Sequence, residues 1–240
     1  MKTLGILGGM GPLAGAYFYE RVIANTPAVR DCGHIPVILL GVPQIPDRTA
    51  HIIGDGESPL AALVEGMARL VQGGAEVIAV ACNTAHAYLP ALRQSVTVPI
   101  LDMPRECLRR VADDRVHKVG LLSTSGTRYA AVYERAAENL AINVLYPSDQ
   151  SALSLDGLIY RQKQGECLSA TDYEPHVREL YDRGAEAIVL GCTEISLAFG
   201  GNAHNGIYDA LEVLAIRAVN TCFGTIGEEC ENGIFQASAC

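Results

Sequence analysis

The sequence predicts an α/β protein made of two similar halves with parallel sheets, and three observations lead there. Short continuous apolar runs alternate with longer amphipathic stretches, as in strands covered on both faces by helices. The segment Leu70-Val-Gln-Gly-Gly-Ala-Glu-Val-Ile-Ala-Val-Ala-Cys82 aligns without gaps on Leu180-Tyr-Asp-Arg-Gly-Ala-Glu-Ala-Ile-Val-Leu-Gly-Cys192, 110 residues later. A weaker copy joins Leu4-Gly-Ile-Leu-Gly-Gly-Met-Gly11 to Val119-Gly-Leu-Leu-Ser-Thr-Ser-Gly126, offset by 115. Each member of that pair is followed by a helix carrying Tyr-Glu, at Tyr19-Glu20 and Tyr133-Glu134.

In chain order, strands are expected at Thr3–Leu7, Ile35–Gly41, Glu76–Ala81 and Val98–Leu101, then at Lys118–Leu122, Ile142–Tyr146 and Ala187–Leu190. A last short strand is expected at Ile207-Tyr208. The stretch Ser58–Gln72 has apolar residues three and four apart, with Ser58 as N-cap and Pro59 at the first helical position. The boundary between halves falls near Met103-Pro104. The helix Ala210–Thr221 is expected to cross back, giving one domain of residues 1–103 plus 208–240 and a second of 104–207. The tail 224–240 reads as a loosely held terminus.

Composition narrows the function. The chain has 240 residues, 49% hydrophobic and 19% charged, enough to bury a full core. A net charge of −9 disfavours a polyanion partner, and 6% aromatics without Trp disfavour a nucleic-acid stacking surface. No run approaches the roughly 18 apolar residues that span a bilayer, and no signal peptide is evident. A cytoplasmic protein with neither nucleic-acid nor membrane partners is expected, so its eight cysteines should be free thiols. They match no zinc spacing, and no metal is expected.

In parallel α/β sheets, ligands sit beyond the carboxyl ends of the strands. Cys82 and Cys192 both lie there, each followed by polar residues and the start of a helix. A helix N-terminus favours thiolate. The other six cysteines read as structural. Two thiols facing one carbon from opposite sides suit inversion of a stereocentre: one removes a proton and the other delivers one.

Three segments carry a family resemblance: Gly8-Gly9-Met10-Gly11-Pro12, Ala81-Cys82-Asn83-Thr84-Ala85-His86 and Leu190-Gly191-Cys192-Thr193-Glu194. They resemble the signatures of the cofactor-independent aspartate/glutamate racemase superfamily, over about residues 3–223. The first resembles its aspartate racemase branch. The resemblance implies a racemase of L- and D-aspartate needing no cofactor, with Cys82 and Cys192 catalytic and a dimer as the common assembly. Pro46-Asp47-Arg48-Thr49 resembles the loop whose arginine meets the substrate side-chain carboxylate. Ile159-Tyr160-Arg161-Gln162-Lys163 resembles the helix that supplies a lysine to the same group, with Arg161 as a near competitor.

Polar residues beside the strand ends are candidates for the substrate's other groups. Asn83, Thr84 and Thr193 offer amide and hydroxyl groups at helix starts. Thr124, Gly126 and Thr127 belong to the counterpart of the Met10-Gly11 loop, where backbone can approach a ligand. Glu194 can receive the substrate amine. His86, one turn past Cys82, either tunes it or caps structurally. After Asp209 the chain departs from the family pattern: Ala210-Leu211 replaces a more usual hydroxyl-bearing pair, and Leu214 stands where a histidine is often found. Competing readings are a glutamate or dual racemase, a dicarboxylate cis–trans isomerase, and a two-lobed binder without catalysis.

Overall fold

The computed structural model describes residues 1–200 and 206–224. The first half runs β1 (Leu4–Gly8), α1 (Pro12–Asn25), β2 (Val37–Gly41), α2 (Arg48–Ile53), α3 (Leu60–Gln72), β3 (Val77–Val80) and α4 (Leu89–Ser95). After α5 (Met103–Asp113) come β4 (Lys118–Leu122), α6 (Ser125–Tyr129), α7 (Val132–Ala136), β5 (Asn143–Leu145), α8 (Asp149–Lys163), α9 (Ala170–Asp182) and β6 (Ala187–Leu190). The chain continues through α10 (Thr193–Phe199), β7 (Ile207–Asp209) and α11 (Ala210–Phe223).

Both sheets are parallel, one ordered β2-β1-β3 and the other β5-β4-β6-β7. From β1 the chain adds a strand first on one side and then on the other, and β4 does the same. Strand order therefore reverses at the carboxyl ends of β1 and β4, where such sheets open a crevice. Gly9–Gly11 and Ser123-Thr124 follow those two strands, and β3 and β6 beside them run out into Cys82 and Cys192.

The period of two along each strand distributes the core. Leu4, Ile6, Val77 and Ala79 face a central cluster that also takes Val119, Leu121 and Val189 from the second sheet. Helices α1, α5, α7 and α11 fill it, through residues such as Phe18, Leu108, Tyr133 and Leu214. The opposite faces carry separate clusters. Leu7, Ile78, Val80 and Cys82 pack under α3 and α4, while Ile188, Leu190 and Cys192 pack under α8, α9 and α10. Each cysteine thus shares the parity of its strand's outer face. Repeat equivalence extends to the glycines: a Cβ on Gly5 would stand 2.7 Å from Ala75 Cβ, and one on Gly120 2.8 Å from Leu180 Cβ. β1 needs a bare backbone there to admit the turn after α3, and β4 needs one to admit α9.

Helix α11 lies against α1 and α5. Arg21 on α1 grips Glu212 with two bonds of 2.6 and 3.0 Å. Among the described residues no helix is long and apolar enough to cross a membrane. The cysteines described, at 32, 82, 107, 167, 192 and 222, are free. His204, Cys230, Cys240 and the tail beyond Gly224 lie outside the described residues.

Four expectations shift. The strand expected over Val98–Leu101 shrinks to one bridge, Ile78 to Ile100, because Pro99 has no N–H to extend the ladder. Strand β2 begins only after Pro36, for the same reason. Helix α3 starts at Leu60, with Pro59 in the capping position and no side-chain cap bond. Strand β7 extends to Asp209 and pairs with β6, so the second sheet runs past the expected boundary at 207/208.

Candidate active site

The two strand ends are built alike and furnished differently. Beyond Cys82, Asn83 leads into a 3-10 turn over Thr84–Tyr88; beyond Cys192, α10 starts at once. Two residues past each cysteine stand Thr84 and Glu194, and each reaches the loop that follows the first strand of the other half. Thr84 Oγ1 lies 2.9 Å from Thr124 Oγ1 and 3.0 Å from Thr127 Oγ1, and those two are 3.1 Å apart. Glu194 Oε1 accepts from Gly11 N at 3.1 Å.

The three threonines form a closed ring in which each hydroxyl has a partner. An incoming anion can open the ring and collect its O–H donors. Asn83 adds to that end. Its Oδ1 accepts from Tyr133 O–H at 2.7 Å, and its Nδ2 is buried without a partner. An unpaired buried amide donor is costly unless something arrives to accept from it.

The Cys192 end is an acceptor. Glu194 is only 4% exposed, and its carboxylate takes bonds from Cys192 Sγ at 3.0 Å, Thr193 Oγ1 at 3.3 Å and Gly11 N. Gln162 Nε2 holds the Glu194 carbonyl at 2.7 Å and is itself fixed by Tyr173 O–H at 2.8 Å. Burial first, then the adjacent Glu194 charge, push the Cys192 thiol well above its ordinary value, with Lys163 opposing. The expectation that a helix start would favour thiolate therefore fails at Cys192: desolvation and a carboxylate outweigh the end of a seven-residue helix.

Two cations lie near the sulfurs, Arg48 beside Cys82 and Lys163 within reach of the charge of both. Arg48 is 6% exposed, and its Nη1 donates to the carbonyls of Ile45 and Pro46 at 3.2 and 3.0 Å. Its Nη2 donates to the Met10 carbonyl at 3.0 Å, and its Nε is buried without a partner. Burial works against the Arg48 charge, but Cys82, Asp47 and Glu194 outweigh it and hold the guanidinium above its usual range. Lys163, half-buried at the end of α8, is likewise opposed by burial and raised by Glu194, Cys192 and Cys82. Arg161 points elsewhere, paired with Glu166 on the exposed side. Of the two helix cations, Lys163 is the one near the cysteines.

The remaining expected residues have defined places. Met10 is buried and presents its carbonyl to Arg48. Gly126 lies where a Cβ would stand 2.6 Å from Thr49 Oγ1. The close approach of α6 to α2 requires a bare backbone there. His86 takes its structural reading: Nδ1 bonds the Cys82 carbonyl at 2.9 Å, and Nε2 accepts from Met103 N at 3.2 Å. Burial keeps the ring neutral. Ser196 is the counterpart, 3.5 Å from the Cys192 carbonyl and 2.7 Å from Asp209 Oδ1.

Several residues here were not singled out from the sequence. Tyr160 donates to Asp47 Oδ1 at 3.1 Å, and the Lys163 ammonium sits 5.1 Å from its ring centre. Its spacing of three from Lys163 on one helix face was the available signal. Tyr133 was visible only as half of the Tyr-Glu match. Gln162 and Tyr173 left no mark beyond ordinary helix positions.

Two pseudo-equivalent strand ends, each with a buried cysteine, and two cations near them define a racemase-type α/β enzyme. The chain belongs to the Asp/Glu/hydantoin racemase family, whose model matches residues 7–215. The aspartate racemase of Picrophilus torridus superposes with a TM-score of 0.80 at 27% identity, covering 93% of this chain and 95% of that one. The broad specificity amino-acid racemase RacX of Bacillus subtilis (strain 168) is 26% identical over 202 residues, 80% of this chain and 86% of that protein. A glutamate racemase of Corynebacterium glutamicum is 30% identical over 184 residues, 70% of this chain and 65% of that protein. The protein is an isomerase, an amino-acid racemase.

Proposed function

We propose that this racemase interconverts L- and D-aspartate without a cofactor, by proton transfer between two cysteines across Cα. The observation that carries this reading is the difference between the two strand ends. The donors Asn83, Thr84, Thr124 and Thr127 form a place for the α-carboxylate. The acceptor Glu194, with Thr193 beside it, forms one for the α-ammonium. Arg48, beside Cys82, and Lys163, near both cysteines, serve the side-chain carboxylate. Three anchors fix the substrate in one orientation, as stereochemical inversion at a single carbon requires.

The sulfurs differ in the same sense. Cys192 donates to Glu194 as a thiol, so the two-base reading takes Cys82, beside the Arg48 guanidinium, as the base in this direction. One enantiomer then meets a thiolate at its α-hydrogen and a thiol on the opposite face. The Cα–H electron pair stays on carbon as the proton moves to Cys82. The Cys192 S–H bond then breaks to deliver a proton to the other face. The product leaves with Cys82 as thiol and Cys192 as thiolate, the state needed for the reverse reaction. Negative charge developing at Cα and its carboxylate is met by the donor cluster, where each charge-assisted bond is worth about 1.5–3 kcal/mol.

Likeness to the Picrophilus torridus aspartate racemase supports aspartate. A wider range that includes glutamate is the second reading. It draws on the likeness to the broad specificity racemase and on the small discrimination one methylene permits. Incubation of each enantiomer of aspartate, glutamate and alanine in heavy water without pyridoxal phosphate, followed by chiral analysis, tests both. Aspartate should racemise with deuterium at Cα. Turnover of glutamate at a comparable rate would favour the wider range, and dependence on pyridoxal phosphate would overturn the mechanism.

A further inference from the structure

The geometry points to Tyr133 as a positioning residue that acts on the substrate through Asn83, from the opposite half of the molecule. The inference rests on the reading of Asn83 as a ligand of the α-carboxylate. An asparagine side chain has an acceptor end and a donor end of nearly the same shape, and a half-turn exchanges them. Only the donor end suits a carboxylate. Something must therefore fix the amide.

Tyr133 meets that need. Its ring is fully buried on α7 in the central core, and its O–H lies 2.7 Å from Asn83 Oδ1. Burial raises the phenol well above its ordinary value, so it remains a hydroxyl and can donate. With Oδ1 engaged, Asn83 Nδ2 is left buried and unpartnered. A flipped amide would make the phenol oxygen an acceptor, leave the buried phenol hydrogen without the acceptor it now has in Asn83 Oδ1, and turn an oxygen toward the substrate carboxylate. The rotamer that binds substrate is thus the one the tyrosine selects.

Pseudo-symmetry isolates the feature. The Tyr19-Glu20 pair matches Tyr133-Glu134 in the repeat, yet Tyr19 is 37% exposed and Tyr133 is at 0%. The residue after Cys192 that corresponds to Asn83 is Thr193, whose hydroxyl bonds the neighbouring Glu194. No phenol is needed at that end, because a hydroxyl has no wrong way round.

A double-mutant cycle tests this, using purified full-length wild type, Tyr133→Phe, Asn83→Ala and the double variant. Racemisation kinetics and the dissociation constant of succinate, an unreactive dicarboxylate, are measured for each. Tyr133→Phe should lower kcat/KM about tenfold and weaken succinate binding in the wild-type background. In the Asn83→Ala background the same change should move neither quantity by more than about twofold. Equal losses in both backgrounds would mean that Tyr133 supports the core and not the amide, and would overturn the inference. So would an unaltered Tyr133→Phe beside an impaired Asn83→Ala. If Asn83→Ala alone changes nothing, the placement of the α-carboxylate fails, and the inference with it. Should Asn83→Ala not fold, Asn83→Leu, which keeps the volume and can bond neither Tyr133 nor a carboxylate, replaces it with the same outcomes expected.

Discussion

Thr84 and Glu194 occupy equivalent positions, each two residues past a strand-end cysteine, and each bonds the first loop of the opposite half. One supplies a hydroxyl and the other a carboxylate. A symmetric scaffold is made polar at this pair: donors at one end, an acceptor at the other. A substrate carrying a carboxylate and an ammonium on one carbon has a single orientation in such a site.

The cysteine pair gives the sharpest expectation. Cys82→Ser and Cys192→Ser should each lose racemisation by about 10²–10⁴-fold, because a hydroxyl is a poor base and a weak acid at neutral pH. Each variant keeps one thiol. It should still exchange the α-hydrogen of one enantiomer with heavy water while retaining configuration, and the two variants should prefer opposite hands. Proton NMR of each enantiomer reads this directly. Full racemisation by either variant would defeat the two-base mechanism.

Lys163 and Arg161 are two residues apart on one helix and should behave oppositely. Lys163→Met should lower kcat/KM for aspartate by about ten- to a hundredfold, the value of one charge-assisted contact. Arg161→Met should change it less than about twofold, since the exposed pair with Glu166 contributes little. Steady-state kinetics on both variants separates them. Comparable losses would place the anchor elsewhere.

At Gly126 the expectation is structural. Gly126→Ala would put a methyl against Thr49, beside Arg48, and should destabilise the fold by about 1–3 kcal/mol. Activity should fall with it, because α2 carries both Thr49 and Arg48. Thr49→Ala, which removes the hydroxyl nearest the added methyl, should lessen the loss in the double variant. Thermal unfolding with parallel assays checks the pair.

Asp209 sets a pH dependence of stability. Burial first pushes its carboxyl up to about 6, against bonds from Ser196 and Leu211 that favour the charge. Its Oδ2 is buried and unpartnered. With the folded value above the unfolded one, the folded state binds the proton more tightly. The contribution is fully present below about pH 4 and is lost as pH rises through about 6. Asp209→Asn keeps an acceptor for Ser196 and for the start of α11. It should flatten stability between pH 4 and 6 and raise it at pH 7 by up to about 3 kcal/mol. Urea unfolding of both proteins across that range is the measurement; an unchanged slope would mean that Asp209 is already charged throughout.

By itself the sequence determined the α/β class, the two halves and the positions of both cysteines. Each follows from a local signal: continuous apolar runs, a gap-free repeat, and a cysteine at the end of a strand whose register has period two. The departure after Asp209 was legible as well, since Leu211 and Leu214 enter the central core. Four decisions belonged to the tertiary structure. Strand Val98–Leu101 is lost because a sheet ladder needs N–H groups, and Pro99 lacks one. Lys163 rather than Arg161 faces the cysteines because the rotation of α8 is set by packing, which residue type does not encode. The Cys192 thiol is held above its ordinary value because burial and Glu194, contacts made in three dimensions, outweigh the helix start visible in one. Tyr133 reaches Asn83 across 50 positions of chain. Pairings of that kind exist only once both halves have folded against a common core, because a hydrogen bond depends on distance and direction in space, and neither is written in sequence order.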